Sequence, residues 1–145
     1  MIKEQAAAAL AKLAAGTDEA RALIAKSGGI QPLVSLLDGR AAKGSELTQQ
    51  DAAAALAQLA VSPANIQAID RAGGVSPLVG LLGSYADVKP SHTPDERQTL
   101  VRITNDAKRH AAAALARLSQ DSSHKEVEKA QRESRRGARE SKEVR

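Results

Sequence analysis

The sequence predicts an all-α fold assembled from stacked helical repeats, and two recurring strings predict it. AAAALAxL followed by Ala or Ser occurs at residues 6–14, 52–60 and 111–119. IAKSGGIQPLVSLL from Ile24 returns as IDRAGGVSPLVGLL from Ile69, about 45 residues later. Different strings recurring in the same order mark an array of supersecondary units. Each unit buries its apolar face against the next, not in one central core. Composition agrees. About a fifth of the 145 residues are Ala, the strongest helix former, and Tyr85 is the one aromatic residue. A core without Phe or Trp uses Leu, Ile, Val and Ala, whose small side chains let helix axes approach closely.

The chain opens within an Ala-rich helix, Lys3 to Ala14. Thr17 then caps a short helix that packs through Ile24. Gly28-Gly29 makes a tight corner, and Ile30, Leu33, Val34, Leu36 and Leu37 form an apolar helix. The next Ala-rich helix runs from about Glu46 to Ala60, with Ala52, Ala55, Leu56 and Leu59 at helical spacing on one stripe. The plan then repeats. Ser62 caps, Pro63 takes the first helical position, and Ile66 and Ile69 give the short helix its stripe. Gly73-Gly74 is the corner. Val75, Leu78, Val79, Leu81 and Leu82 make the apolar helix, in which Pro77 is tolerated because no intrahelical donor is lost in a first turn.

Thr93-Pro94-Asp95-Glu96 reads as a capping box with Pro at the first helical position. Leu100, Ile103, Ala107, Ala111, Ala114 and Leu118 hold steps of three and four, so one helix is expected from about Pro94 to Ser119. From Asp121 the chain is a charged tail in which Lys and Arg outnumber Asp and Glu and apolar residues are sparse. Two readings stand. A marginal solvated helix would be supported by the i,i+4 pairs Glu128–Arg132, Arg136–Glu140 and Arg139–Glu143. Disorder is the other. The marginal helix is preferred.

From about Ala6 to Ser119 this order of short helix, GG corner, LVxLL helix and Ala-rich helix resembles the armadillo repeat, and the two GG(I/V)xPLVxLL strings are its specific part. HEAT-type helical repeats lack that glycine corner. The resemblance implies a right-handed α-α superhelix of stacked three-helix repeats whose third helices line a concave groove. Its boundaries are a leading third helix at 1–16, a repeat at 17–61, a second repeat at 62–120 with an insertion at 83–92 and an extended last helix, and the tail at 121–145.

Armadillo proteins that clamp extended peptides present a groove-facing Trp on the third helix and an Asn one turn later. Those Trp positions fall here on Ala8, Ala54 and Ala113, and the Asn positions on Lys12, Gln58 and Arg117. The peptide-clamping ladder is therefore not carried over. A partly cationic face takes its place: Lys12, Arg109 and Arg117, with Gln50 and Gln58 between them and Arg102 extending the row. One reading is a groove for an acidic peptide or helix, in which cations contribute encounter and specificity. The plainer reading is a solvated polar face, which any helix burying a single stripe needs. His110 is a candidate for the same face beside Arg109, with a surface or capping role as the alternative. The insertion GSYADVKPSH at 83–92 carries Tyr85 and is either a binding loop or a tolerated surface insertion. The insertion at 39–44 is shorter and less informative.

Other classes are poorly supported. No Cys is present, which removes disulfides and thiolate metal sites. His92, His110 and His124 are too far apart in sequence for a local metal motif. No Ser/His/Asp set or carboxylate pair stands out, so neither catalytic residues nor a cofactor are expected and the chain reads as a non-enzyme. The glycine pairs are corners, not phosphate loops: neither GxxxxGK[ST] nor GxGxxG occurs after a strand. The net charge of +4 is too small to argue nucleic-acid binding. No apolar run reaches membrane-spanning length. The Ala-rich start is not expected to be a secretory signal, because the same string recurs inside the chain.

The expected function is protein–protein interaction through the groove or the 83–92 loop, in an intracellular protein, cytoplasmic or nuclear. Two alternatives stay open: polyanion or nucleic-acid contact through the basic tail, and a regulatory repeat segment of a larger enzyme. The first helix shows Ala6, Ala7, Ala9, Leu10, Leu13 and Ala14 with no preceding unit to pack on, so a marginal fold or self-association through that edge is also expected.

Overall fold

The computed structural model describes residues 2–38, 46–84, 86 and 88–143, with the side chains of residues 2–4, 121–128 and 140–143 left aside. The insertion at 39–44 and Tyr85 therefore lie outside the described residues. Seven helices follow one another among those described: α1 (Ile2–Ala14), α2 (Asp18–Lys26), α3 (Ile30–Leu37), α4 (Glu46–Leu59), α5 (Pro63–Arg71), α6 (Val75–Leu82) and α7 (Pro94–Glu143). The described residues contain no strand.

The helix ends are written in short-range chemistry. Thr17 Oγ1 accepts from the Ala20 N–H at 3.2 Å and caps α2. At the carboxyl end of α2, the Gly29 N–H bonds the Ile24 carbonyl at 2.9 Å and the Gly28 N–H bonds that of Ala25 at 3.1 Å. Gly74 to Ile69 and Gly73 to Asp70, both at 2.9 Å, do the same at the end of α5. This double closure needs a left-handed residue, supplied by Gly28 (φ 78°) and Gly73 (φ 74°). The second glycine of each pair is required for a different reason. A Cβ on Gly29 would lie 2.8 Å from Ile24 Cγ2, and one on Gly74 would lie 2.7 Å from Ile69 Cγ2. The same glycine is also the N-cap of the next helix, so no linker separates the two.

Ser62 occupies the N-cap of α5, but its side chain makes no capping bond, contrary to expectation. The capping box of α7 is formed in full. Glu96 Oε2 accepts from the Thr93 N–H at 2.7 Å, and Thr93 Oγ1 accepts from the Glu96 N–H at 3.3 Å. These bonds, led by the one from the backbone, hold the Glu96 carboxyl below the usual glutamate range.

α7 does not stop near Ser119. It continues to Glu143, through a stretch that contains no Pro and whose weakest helix former is Gly137. The i,i+4 pairs proposed for this stretch involve side chains outside those described.

The Ala-rich helices stack side by side, α1 against α4 and α4 against α7. α3 packs on α4 and α6 on α7. Leu33, Leu56, Leu59, Ile69 and Leu78 are among the fully buried side chains at the centre of this arrangement. Burying them supplies the main stabilisation of each layer, at about 1.5–3 kcal/mol per large apolar side chain.

Candidate functional site

The stacked Ala-rich helices leave one long face without an apolar cover. On α4 the partly exposed residues Gln50, Asp51, Ala54 and Gln58 follow one another at steps of one, three and four, which keeps them on one side of the helix. Their counterparts on α7 are Arg109, His110, Ala113 and Arg117, and on α1 Gln5, Ala8 and Lys12. Three rows therefore cross the three helices. Ala8, Ala54 and Ala113 form the middle row, each half-buried. Gln5, Asp51 and His110 flank it on one side, and Lys12, Gln58 and Arg117 on the other.

The predicted polar residues sit on this face with different degrees of freedom. Lys12, Arg102 and Arg109 are exposed, whereas Gln50, Gln58 and Arg117 are half-buried. Arg109 Nη1 lies 3.8 Å from Asp106 Oδ1, one turn earlier on the same helix. Arg117 is held more firmly: its Nη1 donates to the Ala57 carbonyl in the last turn of α4. That carbonyl faces the end of its helix, where a cation is favoured. Arg117 thus braces one Ala-rich helix on the next. Gln50 has a shielded Oε1 with no hydrogen-bond partner among the described residues.

Two carboxylates of this face escaped the sequence reading, Asp51 and Asp106. Partial burial pushes the Asp51 carboxyl above the usual aspartate range, and the nearby charges of His110 and Lys12 pull it back. A signal for Asp51 was available. Gln5, Asp51 and His110 each stand immediately before an AAAALA string, so aligning the three copies places them in one row. The face carries both signs of charge and is less cationic than the list of Lys and Arg residues suggested.

A separate cleft of about 470 Å³ lies between α3, α4 and α6, lined by Leu37, Asp38, Gln49, Pro77, Leu81 and Ser84 among others. Gln49 Nε2 reaches across one edge of it to the Leu37 carbonyl at 3.4 Å. Among the described residues, no group of three or more His, Asp or Glu side chains is gathered as a metal-ligand set. No helix of the described residues is long and apolar enough to cross a membrane.

A stack of three-helix units with glycine corners defines a class, the α-helical repeat solenoid. Comparison with known proteins specifies it further. Residues 17–61 match the armadillo/beta-catenin-like repeat, and the all-α repeat fold as a whole is similar to armadillo-type solenoids. Solved structures agree. The fold is similar to that of an engineered protein, with a TM-score of 0.56 and 29% identity over 83% of this chain and 57% of that one. A designed armadillo repeat protein gives 0.53 and 28%, over 81% of this chain and 58% of its own. A second engineered protein gives 0.51 and 28%, over 79% and 33%. The chain thus spans just over half the length of the first two and a third of the last. No curated protein sequence matches it. Armadillo repeats generally serve as protein-interaction scaffolds and are typically non-catalytic.

Proposed function

We propose that this chain is a non-catalytic scaffold that holds an extended segment of a partner protein along the face of α1, α4 and α7. It is organised as a leading third helix (1–16), repeats at 17–61 and 62–120, and a tail from 121. One observation carries the reading. The half-buried row Ala8, Ala54 and Ala113 makes a shallow apolar floor between two polar rows. A partner's apolar side chains fit such a floor while its backbone bonds the polar groups that flank it. The contact residues are Lys12, Gln50, Gln58, Arg102, Arg109 and Arg117. Lys12, Arg102 and Arg109 are the exposed cations, and they favour a partner with acidic residues, chiefly through encounter rate and register. The 83–92 loop with Tyr85 is a second contact point. The outer edge of α1 is a third, where another copy of the chain is the candidate. The setting proposed for it is intracellular, cytoplasmic or nuclear.

The test is a fluorescence-polarisation titration of Glu-rich and Lys-rich peptides. The Glu-rich peptide should bind more tightly, and Lys12→Glu with Arg109→Glu should weaken it by about tenfold or more. Tight binding of the Lys-rich peptide would overturn the acidic preference. Binding lost in Tyr85→Ala and kept in the double variant would move the site to the loop.

Polyanion contact is the second reading, favoured by one observation. Arg132, Arg135, Arg136 and Arg139 fall on one exposed side of α7 and line a shallow depression there. Binding to nucleic acid through this stretch would weaken steeply with added salt, at close to one power of salt concentration per phosphate neutralised. A peptide in the groove would be far less salt-sensitive.

A further inference from the structure

The net charge of this chain is not spread evenly along it. Residues 129–139, KAQRESRRGAR, hold five Lys or Arg and one acid, Glu133. That stretch alone is +4, the net charge of the whole chain, and the remaining residues carry sixteen cations and sixteen carboxylates. A total of +4 argues little. Its confinement to eleven consecutive residues argues more.

All eleven are exposed and lie in α7. Lys129, Arg132, Arg135, Arg136 and Arg139 follow one another at steps of three, three, one and three. They therefore share one side of the helix, over about 15 Å of its length. The four arginines line one depression there. This placement is unfavourable for the helix itself. Arg132–Arg136 and Arg135–Arg139 are like charges four apart, and Arg132–Arg135 and Arg136–Arg139 are like charges three apart, where opposite charges would support the helix. A bound polyanion removes that repulsion. The stretch has little to bury, since Ala130, Gly137 and Ala138 are its only apolar residues. Its exposure thus follows from its composition, whatever else packs on α7. Earlier in the same helix, Ala107, Ala111, Ala114 and Leu118 are buried among the repeats. Arg132 lies about 20 Å further along the helix than Leu118, so the cations stand well clear of the packed units.

We infer that Lys129, Arg132, Arg135, Arg136 and Arg139 form a site for the phosphate backbone of double-stranded nucleic acid. The inference rests on the polyanion reading of this stretch and narrows it. Charge density selects the duplex first. A duplex carries one negative charge per about 1.7 Å of its axis, so each of the five cations finds a phosphate. An extended peptide offers at most one per about 3.3 Å, and only if every residue is acidic. Arg also matches phosphate oxygens with two parallel N–H donors. Single strands are held by stacking bases on aromatic side chains, and residues 129–139 contain none. A lipid surface takes up a helix by an apolar face, which this stretch lacks. The contacts are to phosphates, so binding is independent of base sequence.

Fluorescence anisotropy with the full chain, over a salt series, tests this. The probes are a DNA duplex of about 20 base pairs, the RNA duplex of the same length and one of the DNA strands; heparin and vesicles containing phosphatidylserine are titrated separately. A duplex should bind several-fold more tightly than the single strand, with a slope of log K against log salt of about −4. Binding by either duplex supports the site, and the tighter of the two names its source. Arg135→Gln with Arg139→Gln changes exposed positions without breaking the helix. It should weaken duplex binding by about tenfold or more and flatten the slope by about 2. Lys26→Gln with Arg71→Gln removes the same charge from exposed positions elsewhere and should leave binding within about twofold of wild type. An equal loss in the two double variants overturns the inference, because net charge and not this stripe would be responsible. A single strand that binds as tightly as the duplex overturns it as well. Heparin or vesicles bound through the stripe, with no duplex binding, would keep the polyanion reading and overturn the duplex. Binding of none of these probes overturns both.

Discussion

Leu59 and Leu13 hold the same place in the same nine-residue string, yet Leu59 is 0% exposed and Leu13 is 56% exposed. Val34 and Val79 hold the same place in the LVxLL helix, at 5% and 52%. The local structure of each pair is the same: all four lie in helices whose bounds follow the string. What differs is the neighbour. α4 has an Ala-rich helix on each side, whereas α1 has one on a single side. The string specifies a helix and two packing faces. Whether a face is core or surface is decided by the unit stacked on it. Identical residues therefore contribute unequal stability.

The largest expected effect tests that statement directly. Leu59→Ala should cost about 2–5 kcal/mol, as large-to-small changes in a closed core do, whereas Leu13→Ala should stay within about 1 kcal/mol. Paired urea melts at low protein concentration measure both, and equal costs would break the comparison. Next come the glycines. Gly74→Ala brings a Cβ to 2.7 Å from Ile69 Cγ2 and 3.1 Å from the Ile69 carbonyl oxygen, and should cost about 1–3 kcal/mol. Gly80→Ala, inside α6 with nothing within 4 Å of the new Cβ, should stabilise by about 0.5–1 kcal/mol. Opposite signs in thermal melts would show that glycine is needed at the corner and merely tolerated in the helix.

The two helix starts offer a smaller contrast. Thr93→Ala removes a formed cap and should cost about 1 kcal/mol, whereas Ser62→Ala removes a hydroxyl that caps nothing and should cost a few tenths at most. A larger loss at Ser62 would mean that its hydroxyl is used. The smallest effect is a pH dependence. The folded Glu96 carboxyl titrates below its unfolded value, so its contribution is present above the unfolded value and is lost as pH falls through the folded one. Glu96→Gln lacks that charge. The difference in melting midpoint between Glu96→Gln and wild type should therefore narrow on acidification below the glutamate range. A constant difference would remove the carboxylate from the account of the cap.

Much of the fold was legible because its determinants are short-range. The Thr93–Glu96 box, the Thr17 cap and the glycine corners involve residues within five positions of each other, and all three are found where the strings put them. The tail was harder to read. Steps of three and four end near Ser119 because burial ends there, but a helix does not need burial to continue once it is nucleated. Of the candidate face, the alanine row followed from matching the three copies of one string. Asp51 is hidden in the string because the other two copies carry Gln5 and His110 at its place, so no charge recurs there, and nothing in the string marks Asp106.

By itself, the sequence determined the class of protein, the number and order of its helices, and the two faces each Ala-rich helix offers. Those follow from periodicity, caps and left-handed glycines, which act within a few residues along the chain. Only the tertiary structure decided which copies of a face are buried and that the Arg117 guanidinium is spent on the Ala57 carbonyl, 60 positions away. It also decided that Asp51 lies where Lys12 and His110 feel its charge. These are contacts between neighbouring units, and a repeated string is, by construction, the same on both sides of every such contact.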